Sequence, residues 1–132
     1  MSWQLLLIAA VLVAAVCVLV IAWRVWRDPL TLIRAEYARQ RRAAGLSAHT
    51  VQIDGKRWAY AERSADRAGS PTVVMIHGYT GSKENWYRVA QRLRGRYRLV
   101  IPDLPGWGES QRDAGANYGY AAQAENVAAF IR

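Results

Sequence analysis

Residues 4 to 23 read QLLLIAAVLVAAVCVLVIAW, and no charge interrupts them. A helix rises about 1.5 Å per residue, so roughly 20 such residues match a hydrocarbon core about 30 Å thick. The run reads as one membrane-spanning helix, with residues 1–26 as the anchor and membrane contact through residues 4–23. Trp3 at one end, and Trp23 and Trp26 at the other, fall where indole rings sit at the two interfaces. Six arginines between residues 24 and 44 follow the run and none precedes it. By the positive-inside rule this predicts a single-pass protein with its N-terminus outside and its C-terminal part in the cytoplasm. A cleavable signal peptide has the opposite charge bias. Cys17, the one cysteine, lies inside the run, so it is read as a packing or lipid-contact residue with no disulfide partner.

Residues 27–48 are expected to form a basic juxtamembrane helix and linker. In LTLIRAEYARQRRAA, Leu32, Ile33, Tyr37 and Ala38 lie near one side and most arginines elsewhere, as in an interfacial helix whose arginine heads meet anionic lipid. Gly45 supplies the stop. The six arginines between residues 24 and 44, set against Asp28 and Glu36, hold half of the net charge of +8. The other half is scattered: Arg92, Arg94, Arg96 and Arg98 alternate around a helix end and a strand start, as on a solvated surface. With neither a recognised motif nor a localised patch, the charge predicts no nucleic-acid partner.

Residues 49–132 leave room for one domain. A composition that is 52% hydrophobic, with six Trp and seven Tyr, predicts a packed core there. HTVQIDGKRWAYAER alternates on both sides of Asp54-Gly55, which predicts an antiparallel hairpin. TVVMIHG carries the continuous apolar run of a strand buried on both faces. Ser82 is placed to cap a helix with Trp86, Val89, Ala90 and Leu93 at helical spacing, ending near Gly95. YRLVIPDL predicts a second buried strand, and YAAQAENVAAFIR a further helix with Val127, Phe130 and Ile131 inward. Strand, helix, strand in this order is a right-handed crossover between parallel strands, so the fold class is α/β.

Ligands of open α/β sheets bind beyond the carboxyl ends of the strands, where both His77-Gly78 and the segment from Asp103 to Ser110 fall. Gly78 lets the backbone turn sharply, which frees the amide N–H of Tyr79 to face a developing negative oxygen. IHGYTGSKENW, then LVIPDLPGWGES, then the helix containing AENVAAFI, resemble the α/β-hydrolase fold over residues 49–132. The resemblance is strongest to its lipase and monoacylglycerol-lipase-like branch, and it also fits the membrane-anchored members.

The resemblance implies an antiparallel hairpin followed by parallel strands with crossover helices, and an oxyanion donor in the backbone N–H of Tyr79. It makes His77, Gly78 and Thr80 the support of that loop. Asp103, Gly106, Trp107 and Gly108 brace the pocket floor, and Ser110 holds their loop by hydrogen bonds. Asp103 is not read as the triad acid, because in this family the acid follows the nucleophile in chain order. Trp86 and Trp107 are read as core or pocket wall.

No G-x-S-x-G elbow occurs in the sequence. GLSAH at residues 45–49 lacks the final glycine and precedes the sheet, so Ser47 is not taken as a nucleophile. His49 and His77 are the only histidines, and His77 is read as a backbone-orienting residue. The expectation is therefore the N-terminal portion of a membrane-anchored serine hydrolase acting on carboxylic esters of lipids such as monoacylglycerols. Its nucleophile elbow and triad are absent from these residues, and residues 49–132 form an incomplete domain with no metal or cofactor. The alternatives are an inactive membrane-tethered remnant that binds a partner, or another activity of the fold such as epoxide hydrolysis or dehalogenation. Thr80, where those enzymes usually carry proline, disfavours the latter.

Overall fold

A computed structural model describes residues 2–93 and 95–132, so Arg94 lies outside the described residues. The chain divides into two compact units, residues 1–36 and 37–132. The first is dominated by helix α1, Trp3–Arg27, which has no buried residue and is long and apolar enough to cross a membrane. Arg27 lies over the Trp23 ring at 5.2 Å from its centroid. Asp28 ends the helix: its carboxylate accepts from the Leu30 N–H at 3.0 Å and pairs with Arg34.

Helix α2, Thr31–Ala43, runs from the first unit into the second. It stops where glycine can adopt the left-handed conformation: Gly45 has φ +68°, its N–H donates to Arg42 O, and the Leu46 N–H reaches back to Arg41 O at 3.1 Å. These are the two bonds of a Schellman motif, and the residue after the glycine packs inward. Ala44 and Leu46 join Ala61, Met75, Tyr87, Ala90, Leu99 and Ile101 in the hydrophobic core. The segment expected to be a linker therefore contributes two core residues.

Strands β1, Ser47–Ile53, and β2, Lys56–Arg63, form the hairpin, closed by Asp54 at φ 49° and Gly55 at φ 74°. Positive φ at both central residues suits the right-handed twist of the strands they join. Strands β3, Thr72–Val74, and β4, Arg98–Pro102, complete a sheet in the order β1-β2-β4-β3. β4 runs antiparallel to β2 and parallel to β3. Among the described residues, the outer edge of β3 has no partner strand.

Between β3 and β4 the chain makes a 3₁₀ turn, Lys83–Trp86, and then the short helix α3, Tyr87–Arg92. Ser82 makes no capping hydrogen bond with its side chain. Asp103 takes that role, accepting the Lys83 N–H at 2.7 Å, because a carboxylate beyond the neighbouring strand outcompetes a local hydroxyl. Arg63 closes the other end of α3 by donating to Ala90 O and to Leu93 O, and it also reaches Ala44 O at 2.7 Å. Helix α4, Tyr120–Ile131, lays Phe130 against Trp58, centroids 4.8 Å apart. Ile131, expected inward, is 60% exposed at the end of the helix.

Candidate active site

β3 and β4 deliver two loops to the same end of the sheet. In the first, the Gly81 N–H closes a turn onto Gly78 O at 3.0 Å, and Thr80 sits at its third position with φ 60°. A left-handed conformation costs little for glycine but is an outlier for a β-branched residue, so this turn is held by its surroundings. The Tyr79 N–H has no hydrogen-bond acceptor among the described residues. Tyr79 is 78% exposed, and its ring lies edge-on to Trp107, centroids 5.5 Å apart.

His77 is buried and fully engaged. Its Nε2 accepts the Leu104 N–H at 3.0 Å, and its Nδ1 stands 2.8 Å from Gly78 O. An amide can only donate, so the bonding pattern assigns the proton to Nδ1. Both nitrogens thus tie the end of β3 to the loop after β4, and neither is left to accept a proton from a substrate.

The second loop hangs on Asp103, which is fully buried. Its Oδ1 accepts the Lys83 N–H, and its Oδ2 accepts both Lys83 Nζ at 2.7 Å and the Glu109 N–H at 2.9 Å. Gly108, at φ +53°, comes so close that a Cβ there would run into the Asp103 carboxyl. Ser110 Oγ donates to Asp103 O at 2.7 Å and accepts the Ala59 N–H at 2.8 Å, which sews the loop to β2. Gly106 lies under the Tyr118 ring, 2.8 Å from where its own Cβ would be.

Lys83 is the residue that sequence reasoning missed. It is 1% exposed, and its ammonium also meets Glu109 at 2.8 Å and Glu84 at 3.1 Å. Burial opposes its charge, but the hydrogen bonds it donates to Asp103 and Glu109 outweigh that and hold its pKa well above the ordinary lysine value. A lysine between a serine and a glutamate at the start of a helical pattern reads as a solvated face; only Asp103 and Glu109 on another loop make it a buried crosslink.

A hollow of about 250 Å³ opens between the two loops, lined by Thr80, Gly81, Trp107, Gly108 and Arg112. A larger one of about 430 Å³ lies on the sheet face around Val51, Tyr60, Val74 and Phe130. It is not lined by either loop, so the smaller hollow is the one beside the Tyr79 turn. Ser47 begins β1 and is exposed, remote in sequence from both loops.

A sheet that mixes an antiparallel hairpin with a parallel crossover, and gathers its loops at one end, is that of the α/β hydrolases. Residues 71–132 match the family model of the alpha/beta hydrolase fold, and the chain belongs to that family. Within it the chain is lipase-like. It is 39% identical over 88 residues to Lipase 1 of Psychrobacter immobilis, covering 67% of this chain and 26% of that one. A monoacylglycerol lipase of Xenopus laevis is 28% identical over 103 residues, 78% of this chain and 30% of the relative. A solved bacterial membrane phospholipase A superposes with a TM-score of 0.73 at 39% identity, over 93% of this chain and 39% of that one. The chain thus spans about a quarter of the length of the curated relatives it matches.

Proposed function

We infer that these residues supply one donor of the oxyanion hole of a membrane-anchored lipid-ester hydrolase. The observation that carries this reading is the Tyr79 N–H, without an acceptor among the described residues, in a strained turn beyond the end of β3. An amide fixed there stabilises the tetrahedral oxyanion without reorganising as charge develops. His77 and Gly78 shape the turn, and Asp103, Lys83 and Ser110 hold the facing loop at a set distance. The acyl-enzyme chemistry belongs to a serine elbow with its acid and base, which this reading places outside residues 1–132, on strands continuing from the open edge of β3. Carboxylic esters of lipids, monoacylglycerols among them, are the proposed substrates.

Helix α1 gives the reading a physical advantage, since a lipid ester dissolves in the bilayer and an anchored pocket meets it there. The six arginines between residues 24 and 44, two of them in the last turn of α1, support a cytoplasmic hydrolase part in this reading. Residues 1–26 act as anchor, 27–48 as a basic connection and 49–132 as the opening part of the catalytic domain.

The test is Tyr79→Pro in the native membrane protein. Tyr79 is the second residue of a turn whose third residue has positive φ, a position where proline fits, so the substitution removes the N–H and keeps the turn. The expected result is a fall in kcat on monoacylglycerol of about 10²–10³ with KM little changed. Unaltered kcat would remove Tyr79 from the oxyanion hole.

A further inference from the structure

Side chains join peptide units of β2 and of both loops into one run of hydrogen bonds. It begins on β2, where the Ala59 N–H donates to Ser110 Oγ at 2.8 Å. The Ser110 hydroxyl has one proton to give, and it gives it to Asp103 O at 2.7 Å. On the far side of that same peptide, the Leu104 N–H donates to His77 Nε2 at 3.0 Å. His77 Nδ1 in turn meets Gly78 O at 2.8 Å, and the N–H of that peptide belongs to Tyr79. An amide N–H only donates and a carbonyl only accepts, so the direction of every bond is fixed and each member donates toward Tyr79. Ala59, Ser110, Asp103, Leu104 and His77 are all buried. In such surroundings successive bonds polarise one another, by about 10–30% per bond.

The same contacts aim the amide. Gly78 O also accepts the Gly81 N–H at 3.0 Å, so two donors hold one carbonyl. A trans peptide is planar, with its N–H opposite its C=O. The Tyr79 N–H therefore points away from His77 Nδ1 and from the Gly81 N–H, a direction set by bonds that are made. We propose that His77 and Ser110 are positioning residues for the oxyanion donor: acting through the two loop peptides, they fix the Gly78–Tyr79 plane and strengthen its N–H as a donor. The inference rests on the ester-hydrolase reading and adds to it a serine that touches no reacting atom. Ser110 reaches the Tyr79 amide only through His77, and that dependence separates this role from simple bracing of the loop.

The test is a double-mutant cycle on the native membrane protein, read by ester turnover and by a trifluoromethyl ketone with a lipid-like chain. Addition of the nucleophilic serine to the ketone leaves an oxyanion in the hole, and the fluorine NMR signal of the adduct follows its ionisation. Ser110→Ala should lower kcat about tenfold with KM little changed, short of the about 10²–10³ expected when a donor is lost outright. The adduct should then ionise at higher pH, because a weaker donor stabilises the charged form less. Ser110→Cys keeps a weak donor and should fall between the two, which covers an alanine variant that does not fold. His77→Asn sets an amide donor near the place of Nδ1 and nothing at Nε2, so it keeps the hold on Gly78 O and cuts the run. On that background Ser110→Ala should alter neither kcat nor the ionisation any further. Losses that multiply, or an ionisation that Ser110→Ala leaves unmoved, overturn the proposal and leave Ser110 as a brace of the loop. A wild type that forms no adduct removes the ester-hydrolase reading itself, and this inference with it.

Discussion

At the scale of single residues, the site is held by groups that are costly to bury alone. Lys83 and Asp103 compensate each other, so Lys83→Met strands a carboxylate in the core and should destabilise by about 3–5 kcal/mol. Adding Asp103→Leu to that variant should restore part of the loss, a coupling that denaturant titration of the four proteins measures directly. Thr80 has the opposite prospect. Relief of its φ of 60° by Thr80→Gly should raise stability by about 0.5–1 kcal/mol despite the added freedom of the unfolded chain, and a lower midpoint would show that the turn is not strained. Burial raises the Tyr87 pKa above its ordinary 10.0, assisted by Glu84, and Lys83 is raised above its ordinary 10.5. In both cases the folded value exceeds the unfolded one. Their stabilisation is therefore complete below about pH 10 and is lost as the pH rises through the folded values. Circular dichroism should show unfolding beginning above about pH 10, and Lys83→Met should flatten that dependence.

At the scale of elements, the sequence spoke plainly wherever local chemistry decides the outcome. The hairpin was legible because Asp54-Gly55 sits between two alternating segments, and the end of α2 because Gly45 follows a helical pattern. The start of the helix after β3 was not, because its cap comes from Asp103 just beyond β4 and Ser82 only resembles one. Arg63 was invisible for the same reason, since three carbonyls from two helices meet it only after folding. The two loops were recognised by their glycines, yet what distinguishes those glycines is tertiary. Gly108 and Gly115 both have positive φ, but only Gly108 faces the Asp103 carboxyl, while Gly115 has open space. Gly115→Ala should cost about 1 kcal/mol and Gly108→Ala several times that, as thermal unfolding of the pair will show. Equal losses would mean the close approach is relieved by movement of the loop.

At the scale of the whole molecule, the chain combines a uniformly apolar α1, a basic stretch and a sheet whose loops gather at one end. The long apolar helix was readable from twenty uncharged residues alone, because its length and composition need no tertiary partner to be recognised. The site was readable only in part: His77-Gly78 and Asp103-Leu104-Pro105-Gly106 mark the loops, but the arrangement that leaves the Tyr79 N–H without an acceptor among the described residues needs contacts across the sheet. The central claim is that Tyr79 serves a serine nucleophile located outside residues 1–132. The most direct test is to label the native protein in its own membranes with a fluorophosphonate, then map the modified residue and the intact mass. The account predicts one modified serine outside residues 1–132, in a species heavier than 14.8 kDa. A modified serine within these residues, or a 14.8 kDa species that hydrolyses lipid esters by itself, would contradict it.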